Sequence, residues 1–156
     1  MSLTRKEFLV QLTVGGVALS ASTLLGSILE SCSLPSQPSN GTSLPTATGT
    51  VSNNTVTVDI SPGTPLANNG IGIVQYSGGS ILVDKTSDGT YHAMTSVCTH
   101  QGCTINQYDT GTKQFVCPCH GSQFNSTGGV VKGPASASLK QYAVAVNGNQ
   151  LVITLS

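Results

Sequence analysis

The apolar residues after residue 50 are mostly Val and Ile, in short runs separated by stretches rich in Gly, Pro and Asn. Such runs favour β-strands, because branched side chains suit a pleated surface and the residues between them suit turns. We predict strands over residues 55–60, 71–75, 81–85, 91–97, 141–146 and 150–155. Asp88-Gly89 and Asn147-Gly148 are typical of tight hairpin turns. Seven or so short strands predict an all-β fold, a small antiparallel sandwich or barrel.

The first 31 residues follow a different pattern. Arg5 and Lys6 precede an uncharged, mildly apolar stretch that runs from Phe8 to Leu29. As a helix, that stretch would be about 33 Å long, enough to cross a bilayer core of about 30 Å. We therefore predict that residues 1–31 form an export signal or a membrane anchor helix. A buried soluble helix is the alternative, although no amphipathic stripe is visible.

Two short motifs in this region point to export. Thr4-Arg5-Lys6-Glu7-Phe8-Leu9 resembles a twin-arginine signal with lysine as the second basic residue, and that route moves proteins already folded around a cofactor. Leu29-Glu30-Ser31-Cys32 is similar to a lipoprotein cleavage site, after which Cys32 would become a lipidated N-terminus. An uncleaved anchor helix is the alternative. Either outcome ties the protein to a membrane.

The chain then changes composition again. Residues 32–50 are predicted to be a flexible linker, because Ser, Thr, Pro and Gly dominate there and none of these residues is charged. The folded domain is predicted to span residues 51–156. Charged residues make up only 8% of the chain and the net charge is zero, so no basic surface exists for nucleic acid.

Four of the five cysteines and two of the three histidines lie in two hexapeptides, Cys98-Thr99-His100-Gln101-Gly102-Cys103 and Cys117-Pro118-Cys119-His120-Gly121-Ser122. Both follow predicted strands and should form loops, where functional sites are usually built. Two plain disulfides would need no histidines. Structural zinc usually takes C-x2-4-C and H-x3-5-H spacings, which differ from those here. A [2Fe-2S] cluster with two thiolates on one iron and two imidazoles on the other uses this set of side chains.

The pattern C-x-H-x-G-C followed by C-x-C-H-G-S resembles the Rieske iron–sulfur proteins of the disulfide-containing type. The resemblance implies one [2Fe-2S] cluster, with Cys98 and Cys117 on one iron and His100 and His120 on the other. It also implies a disulfide between Cys103 and Cys119. Each loop would give one thiolate and one imidazole, so that the cluster lies between the loops. Both loops also contain a glycine that permits a tight turn, Gly102 and Gly121.

The same resemblance assigns neighbouring residues. Ser122 matches a position whose hydroxyl bonds a bridging sulfide, and Phe124 stands where high-potential members carry a tyrosine. The missing hydroxyl predicts a lower reduction potential. Gly133-Pro134-Ala135 resembles the loop that covers the cluster, with Ser136 in place of a second proline. His92 lies outside the motif and is interpreted as a structural or surface residue.

The resemblance implies a membrane-tethered electron carrier of the respiratory type, an electron-transfer subunit rather than an enzyme on its own. We expect the Rieske subunit of a quinol:cytochrome c oxidoreductase, at the bacterial cytoplasmic membrane with its domain on the periplasmic side. Its partners would be quinol and a cytochrome b/c complex. Gln101 replaces the leucine usual in quinol-oxidising members, which leaves a molybdoenzyme of the arsenite-oxidase type or a stand-alone periplasmic carrier as alternatives. A zinc-stabilised binding module is the alternative from another class.

Overall fold

The computed structural model describes residues 41–155. The predicted signal or anchor at 1–31, Cys32 and the first part of the predicted linker lie outside the described residues. Within them, no helix is both long and apolar enough to cross a membrane. The all-β prediction is confirmed. The elements are β1 Thr42–Ser43, β2 Thr46–Thr48, β3 Thr50–Ser52, β4 Thr55–Asp59, α1 Pro65–Asn69, β5 Ile71–Tyr76, β6 Gly79–Lys85, β7 Tyr91–Thr95, β8 Gln107–Asp109, β9 Gln114–Val116, β10 Gln123–Phe124, β11 Val130–Lys132, β12 Gln141–Asn147 and β13 Gln150–Thr154.

The larger sheet has eight strands in the order β2-β5-β6-β7-β12-β13-β4-β3. Its pairs are antiparallel except for β2 and β5, which run parallel. The two edge strands, β2 and β3, are consecutive along the chain and are joined by Gly49 alone. A Cβ at Gly49 would clash with the side chains of Val56 and Val74, so a glycine is needed where the chain passes between the two edges. The sheet is therefore curled into a near-barrel.

Three neighbouring strands of this sheet, β5, β6 and β7, are buried on both faces. Alternate side chains point to opposite faces of a strand. One face lines the interior of the near-barrel, with Val74, Ile81, Val83 and Ala93 packed on residues of β4 and β13. The other face, with Ile73, Leu82 and Met94, packs against the second sheet. Burial on both faces explains why β6 reads as the continuous apolar run Ile81-Leu82-Val83.

The second sheet has five strands in the order β1-β8-β9-β10-β11. Its core side chains include Tyr108, Phe115 and Phe124, and the rings of Tyr108 and Phe115 meet edge to face at 5.1 Å. Complete burial of one large apolar side chain contributes about 1.5 to 3 kcal/mol. Cys98 and Cys117 belong to the same core, so the two cysteine loops are anchored directly in the packing between the sheets.

The predicted linker is wrong for residues 42–50, which contain β1, β2 and the start of β3. Leu44 and Ala47 are buried in the core. β1 pairs with β8, and β2 pairs with β5, so the partners lie far away along the chain. The Ser/Thr-rich composition conceals these strands because their stability comes from long-range pairing rather than from their own apolar content. The folded domain therefore begins before residue 51.

Helix α1 was also missed. The side chain of Thr64 accepts a hydrogen bond from the Ala67 N–H at 3.4 Å, Pro65 occupies the first turn and Gly70 ends the helix at a φ of 69°. Each is a known helix boundary signal. Leu66 is the buried residue of the helix and packs inside the near-barrel.

Candidate metal centre

The first hexapeptide, loop 1 (residues 98–103), is closed by its own backbone. The Cys98 N–H donates to the Cys103 carbonyl at 2.8 Å, and the Gly102 N–H donates to the Cys98 carbonyl at 2.9 Å. Gly102 has a φ of 74°, in the left-handed region that favours glycine. The residues on either side, Val97 and Thr104, pair as an isolated antiparallel bridge. The loop is thus a tight turn held at its base.

The second hexapeptide, loop 2 (residues 117–122), repeats this construction. The Cys117 N–H donates to the Ser122 carbonyl at 2.9 Å, and the Gly121 N–H donates to the Cys117 carbonyl at 2.9 Å. Gly121 has a φ of 72°. The flanking residues Val116 and Gln123 pair between β9 and β10. Both predicted glycine turns therefore occur, and each presents a buried cysteine at its start.

A disulfide joins the two loops. Cys103, the last residue of loop 1, is bonded to Cys119 in the middle of loop 2, with an S–S distance of 2.08 Å. The predicted disulfide is confirmed. Among the described residues this leaves two free thiols, Cys98 and Cys117, one from each loop and both buried.

The two free thiols are shielded from solvent. Cys98 is 2% exposed and Cys117 is 1% exposed. Burial raises the pKa of the Cys117 thiol; the backbone N–H groups of Cys119 and His120 oppose that rise, while contact with Cys98 adds to it. The Sγ atoms of Cys117, Cys103 and Cys119 all lie within 4.8 Å of one another. Because two of these sulfurs form the disulfide, this group of three offers only one thiolate to a metal.

The two histidines of the loops face one another. The rings of His100 and His120 have centroids 4.8 Å apart and planes at 90°. His100 is half-buried, and its Nδ1 is buried without a hydrogen-bond partner among the described residues. Such unpaired buried nitrogens are uncommon, and a metal would satisfy this one. Two buried thiols and two adjacent imidazoles fit a [2Fe-2S] cluster with mixed ligation.

The segment of residues 133–137 follows β11, is called the covering segment below, and is hydrogen-bonded to both loops. The fully buried Ser122 accepts a hydrogen bond at Oγ from the Ala135 N–H at 3.0 Å. Thr99 donates from Oγ1 to the Ala137 carbonyl at 2.6 Å. Pro134, which follows a cis peptide bond, is part of this segment. The sequence singled out Ser122 and Pro134 but missed Thr99, because its partner is 38 residues away.

Two further residues named from the sequence have clear positions. Phe124 is fully buried in the core that contains Cys98 and Cys117. His92 lies on β7, paired with Asp84 of β6, and is half-buried. His92 belongs to neither loop.

Comparison with protein families decides the nature of this site. The family model of the Rieske [2Fe-2S] domain matches residues 57–143, which is more than half of the chain. The chain belongs to the Rieske [2Fe-2S] family. As a Rieske protein it binds one [2Fe-2S] cluster and transfers electrons.

Several Rieske proteins are similar to this one. The cytochrome b6-f complex iron-sulfur subunit of Prochlorococcus marinus (strain MIT 9303) is 46% identical over 66 residues, which cover 42% of this chain and 36% of that subunit. The corresponding subunit of Gloeobacter violaceus is 34% identical over 92 residues, 59% of this chain and 49% of that subunit. The chain thus spans less than half the length of either curated relative. The crystal structure of the plasma membrane Rieske protein from Synechocystis PCC 6803 matches with a TM-score of 0.52 and 37% identity, covering 57% of this chain and 90% of that one.

Proposed function

We propose that this Rieske protein works as the iron–sulfur subunit of a quinol-oxidising cytochrome complex. The observation that carries the proposal is its similarity to cytochrome b6-f iron-sulfur subunits, which reaches 46% identity in the matched region. The two disulfide-linked loops are consistent with this role, because they hold all the cysteines and histidines that the proposed ligation needs.

The proposed ligands come equally from the two loops. Cys98 and Cys117 would hold one iron, and His100 and His120 the other. Two facts support this assignment. The remaining two cysteines of the described residues are already joined as a disulfide, so only these two thiols are free. The unpaired Nδ1 of His100 lies buried, with the ring of His120 beside it.

When bound, the cluster supplies a one-electron acceptor whose mixed ligation places its potential in a range of roughly −150 to +300 mV. Ser122 would tune that potential, since its Oγ accepts from Ala135 and its own O–H remains available to donate to sulfur. The exposed His120 could hold a proton at its outer ring nitrogen, where it is reachable from the surface. Proton and electron would then leave a quinol together.

The N-terminal region would hold the domain at the membrane. We propose that residues 1–31 act as an export signal or anchor helix and that the domain lies on the periplasmic side. Cys32 is the candidate lipidation site. Mass spectrometry of the mature N-terminus tests this: a diacylated fragment beginning at Cys32 supports the lipoprotein, and an intact Met1 end supports the anchor.

A stand-alone carrier is the second candidate. Gln101 is exposed in loop 1, between His100 and Gly102, so a polar side chain stands at the surface that a donor would touch. The similarity to a plasma membrane Rieske protein, of which 90% is covered, is also compatible with this reading. Such a carrier would accept electrons from a donor other than quinol.

Purification from native membranes separates the two candidates. We expect the full-length protein to co-purify with a cytochrome b and its cluster to be reduced by added quinol, followed by visible absorbance. Gln101→Leu is the informative variant, because it introduces the leucine usual in quinol-oxidising members, and we expect it to speed reduction by quinol several-fold. The stand-alone carrier would be favoured if the protein purified without cytochrome subunits and if quinol reduced neither the unaltered protein nor Gln101→Leu.

A further inference from the structure

A surface pocket of about 520 Å³ lies where the near-barrel meets the five-stranded sheet. Its walls come from both layers, and no residue of loop 1 or loop 2 lines it. This volume falls in the range of roughly 300 to 1,000 Å³ typical of small-molecule sites. The side chains that matter for its chemistry are Asp84, Thr86, Tyr108, Thr110, Lys113 and Ser126.

The position of Asp84 follows from strand register. Asp84 of β6 pairs with Ile71 of β5 and with His92 of β7. Directly paired residues project from the same face of a sheet. Two residues earlier on that face, Leu82 packs into the core between the sheets. Asp84 is therefore a charged side chain at the end of an apolar row that faces the second sheet.

The carboxylate of Asp84 has no hydrogen-bond donor among the described residues, although the residue is only 5% exposed. Burial raises its pKa, and the charges of His92 and Lys113 oppose that rise without direct contact. A buried ionised carboxylate is costly unless it is paired or hydrogen-bonded. Asp84 thus keeps its full capacity to accept hydrogen bonds and faces the pocket.

Tyr108 also lines the pocket. It is 7% exposed, and its hydroxyl makes no hydrogen bond with a described residue. Burial raises the pKa of Tyr108, and the nearby Asp84 raises it further. The ring is held edge to face against Phe115. A fixed phenol and a buried carboxylate, both without partners, therefore meet at one cavity.

The two lysines that line the pocket differ in their contacts. The ammonium of Lys85 lies 5.3 Å above the ring centroid of Tyr91, so it already has a partner. Lys113 is exposed on the turn between β8 and β9 and exerts its charge on Asp84 from a distance. The charge of Lys113 therefore competes with any bound cation for the carboxylate of Asp84.

We propose that this pocket binds a small organic cation, an ammonium or guanidinium compound, through Asp84 and Tyr108. A cation satisfies the acceptor-only carboxylate, and the free hydroxyl of Tyr108 can accept a second hydrogen bond from its N–H groups. Lys85 and Lys113 also line the pocket, but both are exposed and their charges are screened by solvent, so an anion inside the pocket would meet the buried carboxylate of Asp84. Calcium would need six to eight oxygen ligands, and the pocket offers a single carboxylate among hydroxyl groups.

Calorimetric titration of the full-length, cluster-loaded protein tests the proposal with n-butylguanidinium and its neutral isostere n-butylurea. We expect n-butylguanidinium to bind and n-butylurea to bind at least tenfold more weakly. Asp84→Asn should weaken binding of the cation at least tenfold, and Tyr108→Phe should weaken it several-fold. Lys113→Gln should strengthen it several-fold, because the competing charge is removed. The visible spectrum of each variant checks that the cluster and fold are intact.

The opposite results would overturn the proposal. Equal binding of the cation and the urea would show that charge is not recognised, and no heat with n-butylguanidinium at about 10 mM would show that the pocket is not a cation site. Lys113 is exposed, so the variant Lys113→Gln should fold normally. It therefore still tests the proposal if Asp84→Asn fails to load its cluster. Weaker or unchanged binding in Lys113→Gln would then contradict the proposal.

Discussion

Loop 1 and loop 2 share one backbone construction but use it differently. In each, the first cysteine and the residue five positions later are joined by a backbone hydrogen bond of 2.8 or 2.9 Å. Loop 1 ends at Cys103, which is bonded covalently to loop 2, whereas loop 2 ends at the fully buried Ser122, which binds the covering segment. His100 is half-buried and His120 is exposed. The same turn thus ends in a covalent bond to the other loop in loop 1 and in a buried hydrogen bond in loop 2, and loop 2 carries the more exposed histidine.

The largest expected effect tests whether the loops contribute equally to the cluster. Cys98→Ser and Cys117→Ser each remove one buried thiol, and we expect either change to abolish the cluster because a hydroxyl is a poor substitute for a thiolate. Iron and acid-labile sulfide per chain are the measurements. Cys32→Ser, which removes the cysteine outside the loops, should keep the full content. Retention of the cluster by either loop variant would contradict the proposed ligands.

The next largest effect is expected from removal of the disulfide between the two loops. In the double variant Cys103→Ser and Cys119→Ser, we expect the free energy of unfolding to fall by about 3 kcal/mol, since a cross-link of this span limits the unfolded chain. Denaturant unfolding measures the loss. A reductant should destabilise the unaltered protein by a similar amount and leave the double variant unchanged. A double variant as stable as the unaltered protein would show that the tie between the loops is dispensable.

The covering segment allows a matched comparison of the two loops. Ser122→Ala leaves the Ala135 N–H without its acceptor in a buried position, which should cost about 1 to 3 kcal/mol of unfolding free energy. Thr99→Val removes the bond to Ala137 at an exposed position, where water replaces it, so we expect a loss below about 1 kcal/mol. Denaturant unfolding of both variants tests the order. Equal losses would mean that burial does not distinguish the two bonds.

The smallest expected effect concerns Phe124. Phe124→Tyr adds a hydroxyl within the core that contains Cys98 and Cys117. If that hydroxyl donates to a cysteine sulfur, it stabilises the reduced state by about 1 kcal/mol, which for one electron raises the midpoint potential by about 40 mV. Protein-film voltammetry gives the shift. An unchanged potential would show that the side chain does not reach the sulfur.

Local signals were enough to predict much of the fold. The predicted strands at 55–60, 71–75 and 81–85 correspond to β4, β5 and β6, because each is a run of branched residues bounded by turn residues. The hairpin at Asn147-Gly148 joins β12 and β13 in register. The two hexapeptides also predicted the disulfide, through their resemblance to a known family. These features are encoded within a few residues of one another.

The features that were missed depend on partners far along the chain. Thr42–Ser43 is a strand only because it pairs with β8, and nothing in its own sequence indicates this. The hydrogen bond from Thr99 to Ala137 is of the same kind. Asp84 and Tyr108 meet only after the two sheets pack together. Composition and periodicity describe neighbours along the chain, so contacts between the two layers need the structure.

The central claim is that loop 1 and loop 2 each give one cysteine and one histidine to a single cluster. Electron paramagnetic resonance of the mildly reduced protein, with its histidines labelled with ¹⁵N, tests this most directly. We predict a rhombic signal with hyperfine couplings from the nitrogens of both His100 and His120. In the variant His120→Cys, the coupling from the second histidine should be lost and the coupling from His100 should remain. A reduced cluster without any nitrogen coupling, or a colourless protein that contains zinc, would contradict the account.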